Sequence, residues 1–325
     1  MTVQGSPPAA AAHYIADPAL ETAARVAIEL DQPLLLTGEP GTGKTSFAAF
    51  LARTLAPRWL GLPYELPLFK FETKSTSVAN DLFYRFDNLR RLHAVHDAAM
   101  SRDNLDYITF EALGMSILLT RPPQELGEMR IGTVAGATPV RSVVLIDEID
   151  KAPRDFPNDI LNEIDQMYFR IVELRDHNGR VRSVEADPAL RPLVVLTSNS
   201  EKNLPAAFLR RCVFHHIEFP EREQRQRIAD IIAAHLSQPP ARLTREAIEF
   251  FYTLREDQRM DKLPATAELV QWMRLLSARA QGLPEEGQGA SLAALSQKEL
   301  AGTLGVLVKS VDDLRRAREH LAKRC

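Results

Sequence analysis

The sequence predicts an α/β domain built on a parallel sheet, followed by a helical domain. Two observations carry this. Short apolar runs, PLLLT (33–37), LPLFKF (66–71), VVLID (143–147), PLVVLT (192–197) and HHIEF (215–219), alternate with helical patterns up to about residue 220. Runs that are apolar on both faces and separated by helices are what a sheet covered on both sides produces. Beyond Pro220, EREQRQRIADIIAAHL, TREAIEFFYTLRE and TAELVQWMRLLSARAQ place apolar residues three and four apart with no strand between them. That is the pattern of amphipathic helices. At 325 residues the chain also exceeds one comfortable core, so two domains are expected.

Composition narrows the function classes. With 45% hydrophobic and 26% charged residues the chain is an ordinary globular protein. Lys+Arg total 40 against Asp+Glu 43, a net charge of -3, so no global basic field attracts nucleic acid or an anionic membrane. Two cysteines, Cys212 and Cys325, are too few for a disulfide framework and fit a reducing, cytoplasmic setting. MTVQGSPPAAAA (1–12) has no Lys or Arg and no long apolar run. It fails as a secretory leader and is expected to be a disordered N-terminus. No run approaches the ~18 uncharged apolar residues of a membrane-spanning helix, so no membrane partner is expected.

Taken in chain order, the first strand runs into TGEPGTGKTS (37–46) and then the helix FAAFLARTLA. Gly38, Gly41 and Gly43, with Glu39, Pro40 and Thr42 between them, let the backbone wrap so that amide hydrogens face phosphate oxygens. Lys44 can reach the β- and γ-phosphates, and the hydroxyl of Thr45, followed by Ser46, suits Mg²⁺. The start of the next helix adds its positive dipole end to the same place. Between Thr45 and Val143 the chain is far longer than the about a dozen residues a crossover needs. An insertion at about 75–140 must therefore hang off the sheet, with DLFYRFDNLRRLHAVHDAAM helical and TRPPQELGEMRIGTVAGATP rich in Pro and Gly. FRIVEL and RVRSVE flank DHNG, where Asn178-Gly179 signals a tight turn, hence a hairpin at about 168–186.

VVLIDEID (143–150) brings two carboxylates to the C-terminal end of a strand, where ligands of open α/β sheets bind. Asp147 suits the metal shell, and Glu148 suits a general base polarising water. VVLTSNS (194–200) ends another strand in Asn199, which can donate and accept and so orient that water. LPAAFLRR (204–211) closes a short helix with two adjacent arginines, Arg210 and Arg211. One of them is expected to pair with a nearby carboxylate such as Glu218 or Glu221. GLPEEGQG (282–289) reads as a loop before a last pair of helices. His93 and His96, and His215 with His216, lack the acidic or thiol partners of a metal site and read as packing or surface residues. Trp272 and Phe250-Phe251-Tyr252 fall on helical faces and read as core.

With these stretches in this order, the chain resembles the AAA+ ATPases. Within them it is most similar to the MoxR branch, including the subset associated with von Willebrand A domain proteins. The likeness spans about residues 13–280 and is carried by TGEPGTGKTS, FKFETKSTSVANDLFYRFDNLRR, VVLIDEIDKAPRDFPNDILNEID, LTSNSEKNLP and FLRRCVFHHIEFP. The resemblance implies a P-loop NTPase sheet of order 5-1-4-3-2 over about 13–220 and a helical lid over 221–325. It implies ATP and Mg²⁺, with Lys44 and Thr45 as their ligands, Asp147 and Glu148 as the acidic pair, and Asn199 as sensor 1. It further implies a homo-oligomeric, hexameric ring in which Arg211, or next Arg210, reaches the neighbouring subunit's nucleotide. The insertion and the hairpin would engage a protein client. Tyr14 and Ile15 lie where relatives cover the adenine base; a structural staple fits them equally. Many relatives carry Pro-Arg at the start of a lid helix, where this chain has Pro264-Ala265. Lys262 or Arg274 would be weak substitutes for that arginine. Two other functions share the nucleotide motifs: a nucleic-acid-directed motor like the McrB branch, which prefers GTP, and a slow nucleotide-gated signalling scaffold.

Overall fold

Five of the strands join in one sheet because each brings apolar residues to a layer covered on both faces. In the computed structural model, residues 14–96, 101, 103–126, 129, 138–176, 178–199, 204–280 and 291–323 are described. Its strands are β1 (Leu34–Gly38), β2 (Leu68–Glu72), β3 (Tyr84–Phe86), β4 (Ile108–Phe110), β5 (Val143–Asp147), β6 (Tyr168–Arg175), β7 (Val181–Glu185), β8 (Leu193–Ser198) and β9 (Val213–Ile217). The main sheet has the order β2-β5-β8-β1-β9. Numbered among themselves along the chain, these five strands run 5-1-4-3-2 from the opposite edge, the order the resemblance implies. The inner strands β1, β5 and β8 are buried throughout, whereas the edge strands are only partly buried.

Register decides where the chemistry lies. Thr37 of β1 pairs with Ser198 of β8, and Ile146 of β5 with Leu196 of the same strand, all in parallel. The residues that follow these strands therefore leave the sheet at one end, as open α/β sheets do at their ligand sites. The last strand begins two residues earlier than HHIEF suggests. Val213 N–H already bonds the Pro33 carbonyl at 2.9 Å beside β1.

Two units emerge from the packing, one of residues 16–37 and 44–216, the other of 14–15, 38–43 and the chain from 217 onward. In the first, Leu35, Phe71, Val144, Ile146, Val194 and Leu196 of the sheet share a core with Leu113, Ile117, Phe156, Ile160 and Ile164. The insertion is not one continuous helix from Asp81 onward; Asp81 and Leu82 close a short 3₁₀ turn, Ala79–Leu82. Tyr84–Phe86 instead pairs antiparallel with Ile108–Phe110, and the helix Asn88–His96 starts only after Asp87. The Asp87 carboxylate accepts from Arg90 N–H at 2.9 Å, and its carbonyl from Arg91 N–H at 3.0 Å. A capping aspartate between two aromatics of a strand and the next apolar run is a helix start, which a purely apolar count overlooks.

The hairpin β6–β7 closes through Asp176, whose carboxylate accepts from Asn178 and Arg180 N–H at 2.8 Å each, while Gly179 takes a left-handed φ of 76°. Tyr84 ties this hairpin to the small β3–β4 sheet. Its hydroxyl donates to Glu173 at 2.8 Å and accepts from Val172 N–H at 3.2 Å. Burial, partly offset by the Val172 N–H and reinforced by the Glu173 carboxylate, pushes this phenol up to about 12. Gly114, on the helix Ala112–Leu118, lies so close that an added Cβ would sit 2.0 Å from the Phe83 carbonyl oxygen. Gly114→Ala is expected to cost about 1–3 kcal/mol of unfolding free energy, since backbone cannot yield as a side chain does. Denaturant melts of the two proteins check it.

In the second unit the helices Arg225–His235, Ala241–Arg255, Thr266–Ala280, Gln297–Thr303 and Val311–Ala322 bury Ile228, Ile232, Phe250, Phe251, Leu254, Leu269, Trp272 and Met273 together. The Trp272 indole N–H donates to Thr303 Oγ1 at 2.7 Å, and the Tyr252 hydroxyl to the Pro220 carbonyl at 3.0 Å. Those aromatics are core residues, as their helical spacing suggests. Buried Asp313 accepts from the N–H groups of Asp261 (2.8 Å) and Lys262 (3.1 Å) and pairs with Arg316. Burial alone would raise this carboxyl; the bonds it accepts outweigh burial and hold it below the ordinary value. Residues 1–12, half of the Pro/Gly-rich part of the insertion, and 282–289 lie outside the described residues. No described helix is long and apolar enough to cross a membrane.

Candidate functional site

Three strand ends and one helix start supply the site. The turn after β1 puts Gly41 and Gly43 at φ 78° and 90°, backbone that side-chain-bearing residues rarely adopt. Space forbids a Cβ there as well. One on Gly41 would lie 2.6 Å from Ala265 Cβ, and one on Gly43 2.9 Å from the Tyr14 ring. Glu39 and Pro40 are exposed, and the Thr42 hydroxyl donates back to the Glu39 carbonyl at 2.8 Å, tightening the turn. Lys44, 7% exposed, and Thr45 open the helix Lys44–Phe50, in which Ser46 is half-buried.

The Thr45 hydroxyl donates to the Asp147 carboxylate at 3.0 Å. From the neighbouring strand the Thr197 hydroxyl donates to the same carboxylate at 2.6 Å and accepts from the Glu148 N–H at 2.8 Å. From β2 the Lys70 ammonium stands 3.0 Å from Asp147 and 2.9 Å from Glu72. Burial pushes the Asp147 carboxyl up, but Thr197, Lys70 and Thr45 outweigh it, so the group sits below its usual range and is ionised. For Lys70 burial works downward, and its two carboxylate partners carry it above the usual ammonium value.

Glu148 takes left-handed backbone, φ 56° and ψ 51°. For a residue with a Cβ this costs about 1–2 kcal/mol, and the Thr197 bond to its amide helps hold it. The bend turns its side chain out of the strand. One carboxylate oxygen lies 3.5 Å from the Asn199 amide nitrogen, and the other accepts from Lys151. Asn199 is itself placed by its backbone N–H, which donates to Asp150 at 3.2 Å. Thus Lys44, Thr45, Asp147, Glu148 and Asn199, distant in sequence, form one array at the start of one helix.

Arg210 and Arg211 follow the helix Ala206–Leu209 and are both exposed. Arg211 pairs at 3.4 Å with Asp165, not with Glu218 or Glu221, because the segment ending at Gln166 comes alongside. Arg210 has no ion pair among the described residues. Tyr14 packs on the turn at Gly43, while Ile15 is 36% exposed. His216 Nδ1 lies 2.9 Å from the buried Thr37 hydroxyl, His93 is exposed, and the side chain of His96 lies outside the described residues. Lys262 and Arg274 are exposed.

A metal fit can be tested on the donors. A hydroxyl and an ionised carboxylate 3.0 Å apart suit two positions of one Mg²⁺ shell, which normally keeps waters and takes phosphate oxygens besides one or two carboxylates. Among the described residues no cluster of three His, Cys, Asp or Glu could hold a metal unaided. The residues present therefore fit a metal that arrives with a phosphate ligand.

Thr197, Lys70, Asp150 and Lys151 were not singled out by their sequence context. Strand alternation could have found two of them. Thr197 lies two residues before Asn199, near the end of β8, and Lys70 two before Glu72 on one face of β2.

Comparison with known proteins gives the family. The family model of the ATPase family associated with various cellular activities (AAA) matches residues 34–221. No curated protein matches. Among solved structures, a chain from a study of katanin self-assembly is similar at 15% identity and TM-score 0.43, with 96% of this chain and 90% of that one covered. The FIGL-1 AAA domain in complex with ADP gives 16% and 0.39, with 90% and 78% covered. NtrX from Brucella abortus gives 15% and 0.45, with 95% of this chain but 61% of that one covered. With more than half of its length matched by the family model, the strands and the nucleotide turn included, the chain belongs to the ATPase family associated with various cellular activities.

Proposed function

We propose that the protein is a ring-forming, MoxR-type ATPase that couples Mg²⁺-dependent ATP hydrolysis between subunits to the remodelling or maturation of a partner protein, one carrying a von Willebrand A domain. The observation that supports it best is the continuous chain of bonds from Thr45 through Asp147 and Thr197 to Glu148, with Asn199 against the Glu148 carboxylate.

In this reading residues 13–220 are the nucleotide-binding domain and 221–325 the lid. Backbone amides of 38–43 and the helix start at Lys44 and Ser46 hold the phosphates, while Lys44 adds a point charge. Thr45 and Asp147 would hold Mg²⁺, which would supply neutralisation of the phosphates' negative charge. Glu148 takes the proton of the attacking water, and Asn199 orients both. Tyr14, and Ile15 beside it, flank the base. Arg211, or else Arg210, serves a neighbour's nucleotide, so a hexameric ring in the cytoplasm completes each site. The insertion at 75–140 and the hairpin at 168–186 engage the client. An overall charge of -3 disfavours nucleic acid as that client.

Phosphate release from ATP with Mg²⁺ tests the reading. Lys44→Ala is expected to lower turnover by about 10²-fold or more, as for loss of a charge aimed at the transferring group. Equal turnover in the two proteins, strict dependence on GTP, or stimulation by DNA would sink it.

A further inference from the structure

The phosphate-binding turn contains an acidic residue, and Glu39 beside a phosphate site should repel a polyanion. Its charge is answered by a residue far along the chain. Arg255, the last residue of the helix Ala241–Arg255, donates to Glu39 at 2.7 Å. A second guanidinium nitrogen donates to the Pro264 carbonyl at 2.7 Å. The guanidinium carbon lies 3.4 Å from the centroid of the Phe219 ring and 5.9 Å from that of Phe251. With its side chain only 10% exposed against 46% for Glu39, the arginine is the fixed partner and the glutamate the held one. A planar cation stacked on one ring and bonded at two nitrogens keeps one orientation, which a lysine could not reproduce. Pro264, the carbonyl it holds, precedes Ala265, whose Cβ fills the space beside Gly41 of the same turn.

We propose that Arg255 is a positioning residue for nucleotide binding: by gripping Glu39 and the Pro264 carbonyl together it holds the turn 38–43 wrapped against Ala265 and cancels the glutamate's charge. It acts through the turn and does not touch the phosphates. This rests on the nucleotide-binding reading above. It also gives the helical part of this chain a link to the phosphate turn at a place where Ala265 offers no charge.

Binding of a fluorescent ATP analogue with Mg²⁺ tests it, together with KM and kcat for ATP and a thermal melt. Glu39→Lys decides between two physical effects. If the turn needed only a better local charge, the new cation would tighten binding. If Arg255 must grip position 39, the two cations repel, and the dissociation constant and KM rise about tenfold with kcat and melting temperature little changed, a loss of about 1.4 kcal/mol. Arg255→Lys, which keeps the charge and loses the fork, is expected to raise KM severalfold. Unchanged or tighter binding by Glu39→Lys, or a fall in kcat alone, overturns the proposal while leaving the ATPase reading intact. Absence of binding by the unaltered protein removes both.

Discussion

Glu148→Gln is expected to lower ATP turnover by about 10²–10⁴-fold, the usual contribution of a general base, while nucleotide binding survives. Nothing that holds the phosphates passes through the Glu148 carboxylate: Thr45 and Asp147 are joined directly, and Thr197 bonds the Glu148 amide, not its side chain. Glutamine keeps the size, can still meet Asn199, and cannot accept a proton. Steady-state turnover beside analogue binding separates the two effects. Turnover within a few-fold of the unaltered protein would assign the proton to another group. Asp150, which already holds the Asn199 amide, would be the next to change.

Arg211→Ala is expected to lower turnover by about 10³–10⁵-fold if the residue supplies a positive charge to a neighbour's transition state, again with binding retained. Its pairing with Asp165 does not prevent that service. Both side chains are about half exposed, and such pairs contribute only about 0–1 kcal/mol, so Arg211 is released at little cost. Arg210→Ala, made in parallel, is expected to have the smaller effect; the reverse ranking transfers the role to it. Mixing two inactive proteins is the decisive measurement. A subunit with Arg211→Ala retains an intact Glu148, and one with Glu148→Gln retains the arginine. Mixed assemblies should therefore recover part of the turnover that neither has alone. No recovery, although the two co-assemble, would place the arginine's function within its own subunit.

What could be read from the sequence was chemistry written in adjacent residues: the glycine turn with Lys44 and Thr45, the acidic pair at the end of VVLID, and Asn199 at the end of its strand. The sheet order followed from the family resemblance and is observed. What could not be read depends on register and distant packing. Thr197 matters because β8 lies beside β5, which sets its hydroxyl between Asp147 and the Glu148 amide. Lys70 reaches Asp147 only because Glu72 and Asp147 are opposite each other in β2 and β5. The Asp165 partner of Arg211 and the Glu39 partner of Arg255 come from segments that no local pattern connects. In the insertion, the length of DLFYRFDNLRRLHAVHDAAM suggested one helix, and the pairing of Tyr84 with Phe110 divided it.

The tie that Tyr84 makes to Glu173 and Val172 has a mechanical meaning. It makes the small sheet and the hairpin a single handle. At the end of β7 Arg121 donates to the Glu185 carbonyl at 2.6 Å, and just past it Thr120 accepts from Asp187 N–H at 2.9 Å, so the handle is braced again before β8 begins. These bonds give a pull at the hairpin tip a direct path into β8, which carries Thr197 and leads into Asn199. In the proposed function, a client's pull on the hairpin and the placing of water beside Glu148 would be two readings of one lever.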